Sequence, residues 1–148
     1  MPIQYEVLPG IILLCDYAMG GFKPPEMTKK RPALVVSPRL RHRNCLCTVV
    51  PLSTTPPKRD VPYQCQIELP RRLPDPWHEA DVVWAKADML ATVGFKRLDL
   101  FRTARDQTGK RKYIQPRLPK NDLDRVRRCM VEALGLSSLT GHDGKRIF

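Results

Sequence analysis

Lys30-Arg31-Pro32-Ala33-Leu34-Val35-Val36-Ser37-Pro38 is the stretch from which the fold is read. Four apolar residues in a row, fenced by Pro32 and Pro38, predict a short buried strand over Arg31 to Ser37, since proline suits a strand's first position and stops the ladder where an N–H is missing. A Val-rich run from Cys45 to Leu52 predicts the next strand, and it closes on Ser53-Thr54-Thr55-Pro56-Pro57, which leaves three hydroxyls at the strand's carboxyl end. An always-charged Arg31 at the entry of one strand and the Ser53 and Thr54 hydroxyls at the end of the next make a pair suited to an anion.

Outward from this pair, Pro9 to Tyr17 holds the apolar run Ile11 to Leu14 and predicts a buried strand. Between them, Ala18 to Lys30 carries two Gly, two adjacent Pro and three Lys, the composition of an exposed loop, with Glu26 near its end. Val61 to Leu69 alternates apolar and polar residues, the pattern of a half-exposed strand. Ala80 to Val93 reads as extended chain, with Lys86 and Asp88 spaced to share one strand face. Thr108-Gly109-Lys110 marks a turn between short extended pieces. The period then changes to that of a helix: Asn121 is a candidate N-cap, and Leu123, Val126, Met130, Val131 and Leu134 form a stripe ending at Gly135. The expected architecture is mostly β with a C-terminal α-helix, a small antiparallel barrel or curled sheet, over residues 1–136, followed by a loose tail at 137–148.

With 148 residues the chain is long enough to bury roughly two thirds of its unfolded surface in a core of its own. Its 26 Lys and Arg against 15 Asp and Glu give a formal charge of +11. Eight of the basic residues (Lys29, Lys30, Arg31, Arg39, Arg41, Arg43, Lys58 and Arg59) fall between Met27 and Arg59 with no acid among them. A second basic block runs from Arg102 to Arg128. Such a field attracts polyanions, of which nucleic acid is the commonest; a merely solvated basic surface is the alternative. Ile11 to Cys15 is too short to cross a bilayer or serve as a signal, so a cytoplasmic protein with no membrane partner is expected. The five cysteines are odd in number and mostly set in apolar runs, which fits free thiols. His42, His78 and His142 are scattered, and Cys45-x-Cys47 has strand spacing, so neither a metal nor another cofactor is expected.

Pro9-Gly10-Ile11-Ile12-Leu13-Leu14-Cys15-Asp16-Tyr17, the Gly-containing loop, the Arg-Pro-Ala-x-Val-x-Ser-Pro motif at 31–38, and Val50-Pro51-Leu52-Ser53-Thr54 resemble, in order and spacing, the MazF/PemK (Kid) toxins. Trp84-Ala85-Lys86-Ala87-Asp88-Met89 and the terminal helix also fall in place. The resemblance implies an SH3-like barrel, usually a homodimer, that cleaves single-stranded RNA without a metal and is held inactive by a cognate antitoxin. Such cleavage needs a base for the ribose 2′-OH, cationic donors for the phosphorane and an acid for the leaving 5′-oxygen. By the resemblance, Arg31 holds the scissile phosphate. Ser53 stands where many members have a phosphate-contacting Thr, with Thr54 after it. Lys86 and Asp88 match an Arg-x-Asp acid and base pair, with Lys for Arg giving up the bidentate fork. Glu26 matches a loop acid of some members, Lys29 and Lys30 extend the cationic entry to the strand, and Phe22 on the same loop is placed to stack on a base. The competing expectations are a non-catalytic nucleic-acid binder or topoisomerase inhibitor on the same barrel, and a chain acting mainly in autoregulation with a DNA-binding antitoxin.

Overall fold

Unbroken apolar runs mark a sheet covered on both faces, and the computed structural model, which describes residues 3, 6–19, 21–77 and 80–140, has such a sheet. Strand β1 (Ile12–Asp16) pairs antiparallel with β2 (Lys30–Val35), Ile12 opposite Leu34, and β2 pairs with β3 (Leu46–Ser53), Leu34 opposite Val50. Alternate residues go to opposite sides. Ile12, Leu14, Leu34, Val50 and Leu52 enter a core beneath the helix. Leu13, Cys15, Ala33, Val35 and Val49 enter a second core with Val93, Phe95 and Leu98. Burial on both sides is why these strands carry no polar alternation.

The outer edge of β3 serves two partners. Leu52 and Ser53 pair with β5 (Val82–Lys86), whereas Leu46 to Val49 pair with β6 (Ala91–Gly94). Between β5 and β6 the chain turns through one 3₁₀ turn, Ala87–Met89, closed by Leu90 N–H donating to Ala87 O at 3.3 Å. The sequence expectation of one strand face shared by Lys86 and Asp88 is thereby corrected. Lys86 ends β5 and exposed Asp88 rides the turn, because Ala87 between them is drawn fully into the core. Gln64–Glu68 forms β4 on the far side of β5, and Leu98–Asp99 forms β7 beside β1, giving the order β4-β5-β3-β2-β1-β7. The fold is mostly β and antiparallel with one C-terminal helix, as expected; among the described residues β4 and β7 remain edges and are not joined to close the barrel. A separate hairpin, β8 (Phe101–Arg105) and β9 (Arg111–Ile114), follows the expected turn, with Gly109 at φ 82°.

Helix α1 spans Lys120–Ala133. Its N-cap is Pro119 rather than the expected Asn121: the proline's extended ψ of 152° ends the preceding chain, and its carbonyl accepts from Leu123 N–H at 3.0 Å. The buried stripe is Leu123, Val126 and Cys129, with Met130 packed on the same core. Leu134, expected in the stripe, is 56% exposed, because the helix ends one residue earlier and Gly135, at φ 68°, turns the chain away. Two arginines tie the helix to the sheet. Arg127 donates through Nε and Nη2 to Val36 O at 3.1 and 2.8 Å, and Arg125 Nη2 donates to Gln66 O at 3.0 Å. The expected loose tail begins with an exposed 3₁₀ turn, Ser137–Leu139; residues 141–148, and His78 and His142 with them, lie outside the described residues. No described helix is long and apolar enough to cross a membrane.

Candidate functional site

The strand register brings the opening pair together. The β2–β3 ladder ends where Ala33 opposes Pro51, so Arg31 and Ser53 lie two residues beyond its last pair on the adjoining strands, and Ser53 pairs on its other side with Trp84. The two residues line a pocket of about 310 Å³ whose polar wall is Lys29, Lys30, Arg31, Ser53, Thr54 and Thr55. Its apolar lining includes Leu73, Pro76 and Trp77, and among the described residues no carboxylate lines it.

Ser53 is buried, and its Oγ accepts from Thr55 N–H at 3.1 Å, which orders the turn that presents Thr54. That bond uses the oxygen as acceptor, so the hydroxyl proton stays available to a ligand oxygen. Arg31 is half-buried beside Tyr17, and its Nε and the Tyr17 hydroxyl are both buried without a hydrogen-bond partner. Burial pulls the guanidinium pKa below its ordinary value, with Tyr17 opposing the shift. A cation held in a dry setting with a donor unspent is an arrangement that stability alone does not favour.

The charges around the pocket are free. None of the eight basic residues between Met27 and Arg59 makes an ion pair or side-chain hydrogen bond among the described residues. The later block is partly spent: Arg102 pairs with Asp99, Lys120 with Asp124 and Arg125 with Asp122. A second cavity, about 360 Å³, lies on the loop after β2 and is lined by Arg39, Leu40, Arg41, His42 and Asn44. It has cations but draws no residue from another element.

Of the residues singled out in the sequence, Lys29, Lys30, Arg31, Ser53 and Thr54 meet in one pocket. Lys86 and Asp88 do not line it. They meet each other through Gln64, which accepts from Lys86 Nζ at 3.3 Å and donates Nε2 to Asp88 Oδ1 at 3.1 Å. Glu26 is exposed on its loop, engaged through its backbone N–H to Lys23 O at 2.8 Å, and is not a pocket residue. Phe22, expected to be free for a base, is packed edge-on against Tyr17 at 6.1 Å between ring centres, with the Arg97 guanidinium 4.8 Å over its ring. Sequence reasoning missed Gln64, Arg97 and the pocket role of Trp77. Gln64 was visible as a polar position of an alternating strand, but its partner Lys86 follows only from the β4–β5 register. Among the described residues no group of three or more His, Cys, Asp or Glu could hold a metal ion.

Comparison with known proteins assigns the family. The uncharacterized protein YifN of Escherichia coli (strain K12) is 28% identical over 155 residues, covering 94% of this chain and 99% of its own length. An endoribonuclease from a mycobacterial species, solved in complex with its cognate antitoxin, shares the fold at 23% identity and a TM-score of 0.53, over 88% of this chain and 97% of the other. MazF from Deinococcus radiodurans does so at 19% identity and a TM-score of 0.54, over 89% and 99%. The family model that matches residues 9–134 is that of the PemK-like, MazF-like toxins, and by that match, over the two strands that build the pocket, this chain belongs to the PemK-like, MazF-like toxins of type II toxin–antitoxin systems.

Proposed function

We propose that the chain is the toxin of such a system and a metal-independent, sequence-specific endoribonuclease, cutting single-stranded RNA by 2′-OH attack to leave a 2′,3′-cyclic phosphate and a 5′-OH. The observation that carries this reading is the meeting of Arg31 with the Ser53 and Thr54 hydroxyls in a pocket rich in cations, with no carboxylate among its described lining residues. In it Arg31 takes the non-bridging oxygens of the scissile phosphate and stabilises the charge that grows on them, while the Ser53 proton donates to one of the same oxygens. Asp88, with Oδ1 held by Gln64, takes the 2′-OH proton as that oxygen bonds to phosphorus, and Lys86, on the other end of Gln64, gives a proton to the 5′-oxygen as the P–O5′ bond breaks. A homodimer and an antitoxin whose acidic segment covers the basic face complete the proposal, in keeping with the antitoxin complex of the mycobacterial neighbour.

The test is incubation of the purified chain with a long RNA in EDTA. Discrete fragments ending in cyclic phosphate support the enzyme. The second reading, a non-catalytic RNA binder, is favoured by Lys86 and Asp88 lying outside the Arg31 pocket; retained RNA binding with intact RNA selects it.

A further inference from the structure

The pocket has two unlike walls, and the apolar one is unexplained by phosphate chemistry. Trp77 is half-buried: one side packs against the core shared by Leu69, Leu73 and Val83, and the rest faces the pocket beside Pro76. Its backbone N–H donates to Pro74 O at 2.8 Å, closing the turn that fixes where the indole sits. Among the described residues the indole N–H has no partner. Core packing thus holds a rigid aromatic plate at the edge of an anion site, with a polar atom left over.

The geometry points to Trp77 as the platform on which the nucleobase next to the cleaved bond stacks, which makes it a base-positioning and specificity-determining residue. The inference rests on the endoribonuclease reading of the same pocket. A nucleotide unit has a phosphate at one end and a flat π-face at the other, and the lining of this one pocket offers both Arg31 with the Ser53 and Thr54 hydroxyls and the indole. A base stacked on an indole is sequence-tolerant in affinity, because every base has a π-face, whereas the spare N–H favours bases that turn an acceptor edge toward it. An acidic peptide would also satisfy the cations. The indole among the lining residues favours the nucleotide, since a peptide carboxylate has no flat π-face to lay against it.

Trp77 and Trp84 are the chain's two tryptophans, so a Trp84→Phe variant leaves Trp77 as the sole indole reporter. Titrating a short 2′-O-methyl RNA, which cannot be cleaved, is expected to quench its fluorescence. Trp77→Ala is expected to raise KM for cleavable RNA about ten-fold or more with kcat changed far less, to alter base preference beside the cut, and to be largely rescued by Trp77→Phe. Should Trp84→Phe fail to fold, 5-fluorotryptophan labelling of the unmodified sequence gives two ¹⁹F resonances, and only that of Trp77 is expected to move strongly with RNA. Cleavage by the unmodified chain with KM unchanged in Trp77→Ala and no RNA response from Trp77 overturns the inference and leaves the nuclease reading standing. A response to an acidic peptide but not to RNA overturns it in favour of a peptide site. RNA binding without cleavage ends the nuclease reading, and the response of Trp77 to that RNA still decides the platform.

Discussion

Replacing Arg31 with Met should make the protein more stable and nearly inert. Arg31 Nε is buried with no acceptor, and a buried donor left unpaired costs about 1–3 kcal/mol. The side chain is only half-buried, so the lower end applies: Met, unbranched and without a donor, should recover about 1 kcal/mol while packing beside Tyr17. For a chain of this length that is a rise in melting temperature of about 2–4 °C. Cleavage should fall about 10²–10³-fold, the usual effect of removing one donor aimed at developing charge. Urea unfolding and a thermal melt give the first quantity, and single-turnover cleavage of an end-labelled RNA gives the second. A melting temperature lowered by several degrees would show that Arg31 is held for the fold. Cleavage within a few-fold of the unmodified chain would remove it from the chemistry.

Asp88→Asn keeps the Gln64 contact in outline and removes the carboxylate. It should cut the single-turnover rate about 10²–10⁴-fold with a melting temperature shifted by no more than a degree or two, since Asp88 is exposed; a stability loss alone would make it a structural residue. Cys65 on β4 has its thiol pKa lowered to about 7, chiefly because Cys129 on α1 hydrogen-bonds to its sulfur, whereas burial pushes Cys15 up to about 11 and Cys47 to about 12. The thiolate is the reactive form, so alkylation of Cys65 should climb as pH rises through 7 while Cys15 and Cys47 stay protected, and Cys129→Ala should move that rise to higher pH; mass spectrometry of iodoacetamide-treated protein reads both. Arg127→Met removes the fork onto Val36 O and should destabilise by about 2 kcal/mol, the worth of a charged hydrogen bond, measured by urea unfolding.

Much of this layout was legible in the chain, and the parts that were not share a cause. The two-faced strands β1, β2 and β3 could be read from their unbroken apolar runs, and Arg31 and Ser53 came together because the ends of adjacent antiparallel strands meet. What could not be read depends on contacts between segments distant in sequence. The turn at Ala87–Met89 looks like strand, because Val83 and Trp84 before it and Thr92 and Val93 after it have strand character and only core packing of Ala87 breaks the run. Trp77 sits in an irregular stretch whose position follows from the β4–β5 pairing that surrounds it. Phe22 lies on a loop whose composition says exposed, yet Arg97 and Tyr17 hold it. Asn121 was a sound cap by residue type, overtaken by a proline two residues earlier whose extended ψ starts the helix without a side-chain cap.

The double burial of β1 and β2 also bears on how such a molecule changes over generations. A strand with no solvent side leaves almost no neutral substitutions: every change from Ile12 to Cys15 or from Ala33 to Val35 makes a hole or a clash in one core or the other. Variation is therefore channelled into the segments between the strands. The stretch that carries Pro76 and Trp77 is one of them, and it walls the pocket without belonging to the sheet. What the pocket accepts can therefore drift there while the frame that holds Arg31 stays fixed.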